Sequence, residues 1–415
     1  MTEQITADAC VIGGGPAGLV FALALAATGR EVVVVEKSED FDRSFRGESI
    51  LPDSVWLLDQ LGLLQPLRDQ NVLEAHGLEI SENGRPVLRV DFDRFDQPRP
   101  YPMEIPQPML LRVVAEAASR YPGYRMIRPA RAVALLREGG RVTGARCRTP
   151  QGDLDIVSPL TIGADGRYSK IRDMAGIDFH KAPLDRDVLW FKMPYPKAWE
   201  PNRYRIRIRE DRHAVFLPTH PDMVRVGFNI PKGGLKDLRS EGIGALYARM
   251  DELAPELGTL VRDHITGFSD TMMLDIFTTV VPKWNVPGLV LAGDAAHTLS
   301  PILGHGVNHA IMDALVLARL VDQALGGADT AAAMDRATSR FQSVRAGKVR
   351  QARDLQLRQE KIFTLSSPLS TLTRRSLYRM VNLLPPVKQR VLGRAYFTIP
   401  QVTDPVAEQL RGVAA

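Results

Sequence analysis

The chain has 415 residues, of which 45% are hydrophobic and 24% are charged, and its formal net charge is +5. This length exceeds one typical domain and is enough for two domains that share one site. The basic excess is not organised as an arginine-rich motif or an aromatic platform, so nucleic acid is not an expected partner.

The N-terminal segment predicts a strand, a turn and a helix. Residues 9–12 are apolar, a glycine-rich turn follows, and residues 19–27 carry small apolar side chains on every side, as a buried helix does. Residues 31–36 include four valines and predict a strand buried on both faces, which is typical of a parallel sheet and a βαβ unit. The glycines interrupt the apolar stretch 9–27, which argues against a signal or membrane-spanning segment.

The chain then leaves this unit and returns to it. Segments 77–81 and 87–92 alternate around Asn83-Gly84, a dipeptide that accepts the positive φ angles of a tight hairpin turn. A proline-rich stretch leads into an apolar-periodic helix that ends near Ala118, and further strands return to the first unit at residues 160–162.

The second half of the chain has three predicted parts. Residues 187–231 alternate as in a second, antiparallel sheet, which we assign to the substrate side. Residues 289–292 form an apolar strand, and a helix is expected over residues 309–325. The remainder is mostly helical, with a break at Pro385-Pro386.

The spacing of Gly13, Gly15 and Gly18, with Glu36 at the end of the next strand, indicates a dinucleotide-binding loop. The first glycine permits the turn, the second lets a pyrophosphate approach, and the third lets helix and strand pack closely. The acid at position 36 can accept hydrogen bonds from a ribose and disfavours a 2′-phosphate, so FAD and NAD both remain open. A second loop of this kind is not found in the sequence.

Further segments carry a resemblance to a known family. They are Asp165-Gly166 within residues 162–172, Gly293-Asp294 continuing through Pro301 to Asp313, and Arg46-Gly47-Glu48-Ser49. Together with the glycine loop they resemble the flavoprotein monooxygenases of the para-hydroxybenzoate hydroxylase type, also called class A flavin hydroxylases. The landmarks extend from residue 9 to about residue 325, and their order and separations match.

The resemblance implies an FAD site and residues beside its reactive ring. The residues implied in cofactor binding are Gly13, Gly15, Pro16, Ala17, Gly18, Glu36, Lys37, Arg46, Gly47, Gln107, Asp165, Gly166, Gly293, Asp294, Pro301, Gly306, Val307 and Asn308. Those implied in catalysis are Pro301, Gly304, Gly306 and, through a looser match, Arg225.

Several of these positions have two physical interpretations. A carboxylate that follows a buried strand, as at Asp165 or Asp294, is either a helix cap or a ligand of the flavin ribityl chain. His305 stands between the two glycines of the loop, where it could alter the mobility of the flavin or the shape of the pocket, but we prefer a side chain that points to solvent or fills a gap. No side chain can be assigned as general base, although His213, His220 and Tyr204 lie in the substrate region.

The implied function is hydroxylation of a small, aromatic substrate with NADH or NADPH and O₂, through a flavin C4a-hydroperoxide. A flavin-dependent halogenase is a rival, but its Trp-x-Trp-x-Ile-Pro segment is not found in the sequence. A dehydrogenase or reductase of the same fold, and a flavin redox sensor that does not turn over, are further alternatives.

The expected fold is α/β, with a Rossmann-like FAD-binding domain on a parallel sheet, an interleaved antiparallel-sheet substrate domain and a helical C-terminal tail. The ranges that we assign are 1–75, 106–180 and 285–330 for the FAD-binding domain, 76–105 and 181–284 for the substrate domain, and 331–415 for the helical region. No metal site is expected.

The helical region is basic, because Asp354 and Glu360 are the only acids between Arg340 and Arg394. We expect a helical cap with a solvated outer face, in preference to contact with a membrane or an anionic partner. Cys10 and Cys147 are the only cysteines and lie in strand-like runs, which favours a reducing, cytoplasmic location. The oligomeric state is not predicted.

Overall fold

The computed structural model describes residues 3–42, 47–70, 72–327 and 329–398. The helices are α1 (Pro16–Ala26), α2 (Pro52–Gln60), α3 (Leu64–Arg68), α4 (Gln107–Ser119), α5 (Lys170–Met174), α6 (Leu235–Glu241), α7 (Ile243–Leu253), α8 (Gly258–His264), α9 (His305–Leu325), α10 (Thr330–Phe363), α11 (Pro368–Leu383) and α12 (Pro385–Tyr396).

The strands of the first half are β1 (Glu3–Thr6), β2 (Ala9–Ile12), β3 (Val32–Val35), β4 (Ser49–Ile50), β5 (Leu73–Glu74), β6 (Gly77–Glu82), β7 (Arg85–Asp91), β8 (Met103–Glu104), β9 (Tyr124–Ile127), β10 (Arg131–Glu138), β11 (Arg141–Thr149), β12 (Gly152–Val157) and β13 (Thr161–Gly163). Those of the second half are β14 (His180–Pro183), β15 (Arg186–Pro194), β16 (Arg203–Arg209), β17 (Arg212–Thr219), β18 (Met223–Pro231), β19 (Met272–Leu274), β20 (Phe277–Val280), β21 (Asn285–Val286) and β22 (Leu289–Leu291).

The central sheet has the strand order β21-β22-β13-β2-β3-β9, and every pair but β21–β22 is parallel. Its inner strands β2 and β3 are apolar and buried on both faces, as the valine run predicts. The carboxyl ends of β2, β13 and β22 therefore meet at one edge, where open α/β sheets bind their ligands. This sheet confirms the predicted parallel-sheet domain.

Helix α1 packs against α9 and α4, and every residue after Pro16 in α1 is buried. Its small side chains allow this close packing on all sides. A separate sheet has the strand order β1-β12-β11-β10, and Gly139 and Gly140 connect β10 to β11.

The second sheet has the order β19-β15-β18-β17-β16-β6-β7. Its pairs are antiparallel except for β16–β6, which is parallel and brings the early hairpin into the later sheet. The hairpin turns at Asn83 and Gly84, with φ angles of 49° and 73°. One face of the sheet packs on α7 and α8 through residues such as Phe191 and Val226, and the opposite face lies toward the first domain.

The C-terminal helices confirm the predicted helical tail and its break at Pro385 within the described residues, and residues 399–415 of the predicted range lie outside them. Helix α10 packs on α9 in its first half, and α11 packs on β7. Within the described ranges, none of the helices combines the length and the apolar character that a membrane-spanning helix needs.

Candidate functional site

The turn between β2 and α1 leaves space for a phosphate group. A Cβ atom on Gly13, whose φ is +117°, would lie 2.3 Å from the carbonyl oxygen of Ala164. A Cβ atom on Gly18 would lie 2.0 Å from the carbonyl oxygen of Gly13, so packing requires both glycines. No atom of the described residues lies within 4 Å of the Cβ position on Gly15, the residue that precedes α1. An anion can therefore approach the helix N-terminus there.

Glu36 is buried beneath this turn and fixes its backbone. Its Oε2 accepts a hydrogen bond from the Gly14 N–H at 2.7 Å, and its Oε1 accepts one from the Ser38 N–H at 2.9 Å. Its side chain therefore holds the loop and lies at the position predicted for ribose recognition. Lys37, the next residue, is exposed.

Asp165 follows β13 and caps helix α5. Its carboxylate accepts hydrogen bonds from the Ser169 hydroxyl and from the backbone N–H groups of Lys170, at 2.7 Å, and Ile171, at 3.1 Å. In its observed contacts, Asp165 therefore acts as a cap of helix α5. Gly166 has a φ of +86°, and no atom of the described residues lies within 4 Å of its Cβ position.

Asp294 follows β22 in a short 3₁₀ turn and keeps a half-buried carboxylate. Its Oδ2 lies 3.5 Å from Nε of Arg167, and its Oδ1 lies 3.9 Å from the Cβ position of Gly306. The preceding Gly293 has a φ of +59°. Asp294 therefore lies beside the N-terminus of α9 and remains accessible to a polar ligand.

The loop from Pro301 to Gly304 enters α9 earlier than predicted. Leu303 and Gly304 both have positive φ angles, 65° and 67°, and the helix begins at His305 instead of residue 309. The glycines suggested a loop, but Gly304 is the N-cap residue of α9, a position that glycine favours, so the helix begins directly after it. Gly306, Val307 and Asn308 therefore lie in the first turn, where N–H groups point along the helix axis.

Asn308 joins the start of α9 to the segment around β4. Its Oδ1 accepts a hydrogen bond from the Leu51 N–H at 2.9 Å, and its Nδ2 donates to the carbonyls of Ser49 and Gly304 at 3.1 and 2.7 Å. Its side chain thus positions two backbone segments, a role that its sequence position did not reveal.

The residues predicted beside this segment are partly brought together. Gln107 begins α4, and its Nε2 lies 3.5 Å from the carbonyl oxygen of Gly47. The Cβ position of Gly47 lies 3.7 Å from Val307. Arg46 falls outside the described residues, so its predicted contact with the cofactor phosphates stays a prediction.

A buried ionic group behind α9 was not predicted from the sequence. Asp313 is fully buried and accepts hydrogen bonds from the Gly293 N–H at 3.0 Å and from Arg345 Nε at 2.7 Å, while His297 Nε2 lies 2.5 Å from it. Burial alone would raise the pKa of Asp313, but His297 and Arg345 outweigh it and hold that pKa well below its ordinary value. The charge of Asp313 thus ties the Gly293 turn to α9 and α10, and His297 takes part in this group.

Gln356 of α10 was also missed, and it holds the Pro301 loop from behind. Its buried Nε2 donates to the carbonyls of Ser300 and Ile302, both at 2.7 Å. A glutamine in a basic helix carries no motif, so the sequence offered no signal for this contact.

A buried polar cluster joins the first domain to the inner face of the second sheet. We define this cluster as Glu48, Ser49, Glu104, Tyr204 and Arg225. Arg225 Nη2 donates to Glu104 Oε2 at 3.0 Å, and its Nη1 lies 3.6 Å from Glu48 Oε2. Tyr204 donates to Glu104 at 2.8 Å, and the Ser49 hydroxyl donates to the same oxygen.

Burial raises the pKa of the Glu104 carboxyl, against the lowering effect of Arg225. Arg225 also lies 5.1 Å from the Trp190 ring. Ser49 lies 3.5 Å from the Cβ position of Gly304, and Arg225 Nη2 lies 3.5 Å from the Ser49 hydroxyl. The cluster therefore places Arg225 close to the loop predicted to face the flavin.

The histidines of the region differ in their exposure. His305 is 4% exposed, which excludes the solvent-facing alternative, and burial lowers its pKa to about 4. His213 is also buried, and this burial is the main reason why its pKa falls to about 3. Its ring lies against Phe363 of α10. His220 is exposed at the end of β17.

The residues present fit FAD. The space above Gly15, the helix N-termini of α1 and α9, and the accessible carboxylate of Asp294 form a continuous set at the carboxyl edge of the central sheet. Backbone N–H groups suit phosphate at α1 and negative charge on a reduced flavin at α9. The described residues contain no cluster of side chains that could hold a metal ion.

Comparisons with known proteins agree with this fit. Residues 6–352 match the family model described as an FAD binding domain. Over 309 residues the chain is 35% identical to 6-methylpretetramide 4-monooxygenase of Streptomyces rimosus, which covers 74% of this chain and 73% of that protein.

Two solved structures share the fold. That of p-nitrophenol 4-monooxygenase from Pseudomonas putida has a TM-score of 0.79 at 19% identity, over 94% of this chain and 97% of the other. That of a flavin-dependent brominase has a TM-score of 0.77 at 18% identity, over 99% and 98%. At these identities the structures show the fold alone.

The family model and the relative at 35% identity decide the assignment, because both extend over most of the chain. The predicted resemblance is therefore confirmed, and the halogenase and dehydrogenase alternatives are not favoured. The chain belongs to the FAD-binding family of flavoprotein monooxygenases, and it is an FAD-dependent monooxygenase.

Proposed function

We propose that this monooxygenase hydroxylates a small aromatic substrate, with NADH or NADPH as reductant and O₂ as oxidant. The observation that carries the proposal is a half-buried apolar surface on the inner face of the second sheet, which we interpret as a substrate cleft. This surface shares its face with Arg225, which approaches Ser49, and Ser49 lies 3.5 Å from the Cβ position of Gly304 in the Pro301 loop, where the resemblance implies the flavin ring.

The cleft is defined by Trp190, Val215 and Leu217. Trp190 and Val215 both flank Gly227 across their strand pairs, and Leu217 is paired with Arg225, so the three side chains share the face of Arg225. They are only half-buried although β15 and β17 lie inside the sheet. A flat apolar molecule can stack on the Trp190 ring, which lies over Gly227 with 2.7 Å between a ring carbon and the glycine Cβ position.

The cleft has a polar end formed by Lys192 and the buried polar cluster. Lys192 pairs with Arg225 across β15 and β18, and its Nζ lies 3.7 Å from Glu48 Oε1. Lys192 is half-buried, whereas Glu48 and Arg225 are buried. We assign Lys192 and Arg225 to orienting an oxygen atom of the substrate, while the apolar walls hold its ring.

The residues of the chain have separate tasks around FAD. Gly15 and α1 would receive the pyrophosphate, Glu36 the ribose, and Asp294 the ribityl chain. FAD supplies the reaction of its reduced form with O₂. The apolar walls exclude water, and the N-terminus of α9 stabilises negative charge beside the Pro301 loop.

The reductant is assigned to a transient site. The sequence contains one dinucleotide loop, and the space at Gly15 is taken by FAD in this proposal. NADH or NADPH must therefore bind without a Rossmann unit of its own.

The test uses the purified protein with FAD bound. NADH and NADPH are compared as reductants without oxygen, and aromatic compounds, including 6-methylpretetramide and p-nitrophenol, are screened for stimulated reductant oxidation. Under ¹⁸O₂ we expect one labelled oxygen atom in the product. Oxidation that yields hydrogen peroxide with every compound contradicts the hydroxylase proposal, and a product that requires bromide or chloride supports a halogenase instead.

A pair of variants tests the location of the cleft. Trp190→Ala removes the stacking surface and is expected to raise KM for the substrate about tenfold, with FAD content unchanged. Trp199→Ala is the matched control, because Trp199 packs on Phe216 on the opposite face of the sheet. Equal effects of the two substitutions on KM contradict the proposed cleft.

A further inference from the structure

Helix α11 presents an apolar surface to solvent. We define the apolar stripe as Leu369, Leu372, Leu377, Met380 and Leu383, each of which is exposed. Leu369 and Leu383 are 75% and 76% exposed. In the described part of the chain, more than half of the exposed large apolar side chains lie between Leu369 and Val391.

The stripe is continuous along one side of the helix. At 3.6 residues per turn, its members fall within an arc of about 140°. Leu384 follows the helix, and Val387 and Val391 add exposed apolar surface on α12. Isolated exposed leucines are ordinary, but a contiguous set on one element indicates an interaction surface.

The opposite side of α11 is firmly anchored, so the stripe cannot turn inward. Arg374 is 1% exposed and donates to Glu82 at 2.5 Å and to the carbonyls of Ile362 and Leu365, both at 2.9 Å. Tyr378 and Val381 are buried on the same inner side. Helix α11 thus carries apolar side chains on two sides, and only the inner side packs against the rest of the protein.

The charges around the stripe select its partner. No acidic residue occurs between Lys361 and Asp404, whereas Arg379 is exposed on α11 and Arg390 and Arg394 are exposed on α12. A second copy of the chain docked through the same face would bring these cations together, which is unfavourable. An apolar stripe bordered by arginines instead suits the interface of a bilayer with anionic headgroups.

We propose that α11 and α12 dock this protein on the surface of an anionic membrane. The leucines of the stripe enter the boundary between headgroups and acyl chains, and the arginines lie at the level of the lipid phosphates. The contact is peripheral, with α11 parallel to the membrane plane. The flavin site in the first domain takes no part in it.

The test is flotation of the full-length holoprotein with vesicles. We expect binding to vesicles of phosphatidylcholine with one third phosphatidylglycerol, and much weaker binding to phosphatidylcholine alone. Replacing Leu369, Leu372 and Leu383 together by serine should abolish flotation while FAD content and thermal midpoint stay unchanged. Val344→Ser, at an exposed position on α10, is the control and should bind as the parent does.

Charge and self-association complete the test. Arg379→Gln and Arg390→Gln should each lower the partition coefficient about fivefold, and added salt should weaken binding. Absence of flotation with both vesicle types overturns the proposal. So does a concentration-dependent dimer that the triple serine variant dissociates, because the stripe would then be a contact between copies.

Discussion

At the scale of single residues, the glycines of the first turn have different tasks, and substitutions can separate them. Gly13 and Gly18 are fixed by the carbonyl oxygens that their Cβ atoms would meet, whereas Gly15 borders open space with a φ of −86° that any residue can adopt. Only Gly15 is therefore reserved for a ligand. The same distinction cannot be drawn from the spacing of the motif.

Gly15→Val should give a folded apoprotein that does not retain FAD, because its methyl groups occupy the phosphate approach. Apart from a capping effect of about 1 kcal/mol, its stability should match that of the parent apoprotein. Gly18→Ala should instead destabilise by roughly 1–3 kcal/mol or more through overpacking. Thermal unfolding and flavin absorbance measure both; full FAD content in Gly15→Val would refute the assignment.

His213 predicts a pH dependence of stability. Burial, with Arg186 and Arg374 nearby, lowers its pKa to about 3, so the folded protein keeps it neutral while the unfolded chain protonates it near pH 6.5. The resulting stability is complete above pH 6.5 and is lost as the pH falls, by about 1.4 kcal/mol per unit.

In His213→Phe the free energy of unfolding should fall less steeply between pH 6.5 and 5, because no imidazole remains to be protonated in the unfolded chain. The slope should differ from that of the parent by the contribution of one proton, about 1.4 kcal/mol per pH unit. His220→Phe is the control, since His220 is exposed. Urea unfolding at successive pH values with excess FAD measures the slope. Identical slopes for the parent and His213→Phe would show that His213 is not held neutral.

At the scale of elements, α10 supports the Pro301 loop from outside the sheet. Gln356 donates to two carbonyls of the loop segment. Arg345, which lies eleven residues before Gln356 on α10, donates to Asp313 of α9. These positions are about three turns apart and so lie on one side of α10. The loop conformation, with its positive φ angles, thus depends on a helix that contributes no recognised motif.

Gln356→Leu conserves the approximate shape of the side chain but leaves the carbonyls of Ser300 and Ile302 without this donor. Each lost hydrogen bond to a buried group costs roughly 1–3 kcal/mol, part of which should appear as FAD affinity lowered about tenfold. Gln351→Leu, at an exposed position of α10, is the control. Unchanged FAD affinity, measured by fluorescence titration, would mean that the loop holds its shape alone.

The elements also show what sequence patterns can predict. Periodicity and the glycine signals predicted the central sheet, the Asn83-Gly84 hairpin and the C-terminal helices, because these depend on local geometry. The buried polar cluster and the Asp313 group were not predicted, since side chains distant in sequence meet only after folding. In α11, apolar residues occur on both sides, and composition alone cannot tell which side the fold covers.

At the scale of the whole molecule, one cofactor would join distant parts of the chain. Most of the positions predicted to bind FAD lie in the segments 13–37, 165–166 and 293–308, which follow strands that meet at the carboxyl edge of the central sheet. Ligand binding to the folded state alone stabilises it by mass action.

FAD at a hundred times its dissociation constant should therefore add about 2.7 kcal/mol to the stability of the apoprotein. Differential scanning calorimetry with increasing FAD measures the shift. The Gly15→Val apoprotein should show no shift under the same conditions. A shift of equal size in that variant would place FAD elsewhere on the protein.

The hold of Gln356 on the Pro301 loop sets a limit on recombination between relatives. The family match ends at residue 352, four residues before this side chain. A chimaera joined at that boundary would combine the loop of one parent with the supporting helix of another. We expect exchanges of the C-terminal region to keep flavin binding only when the crossover lies beyond Gln356.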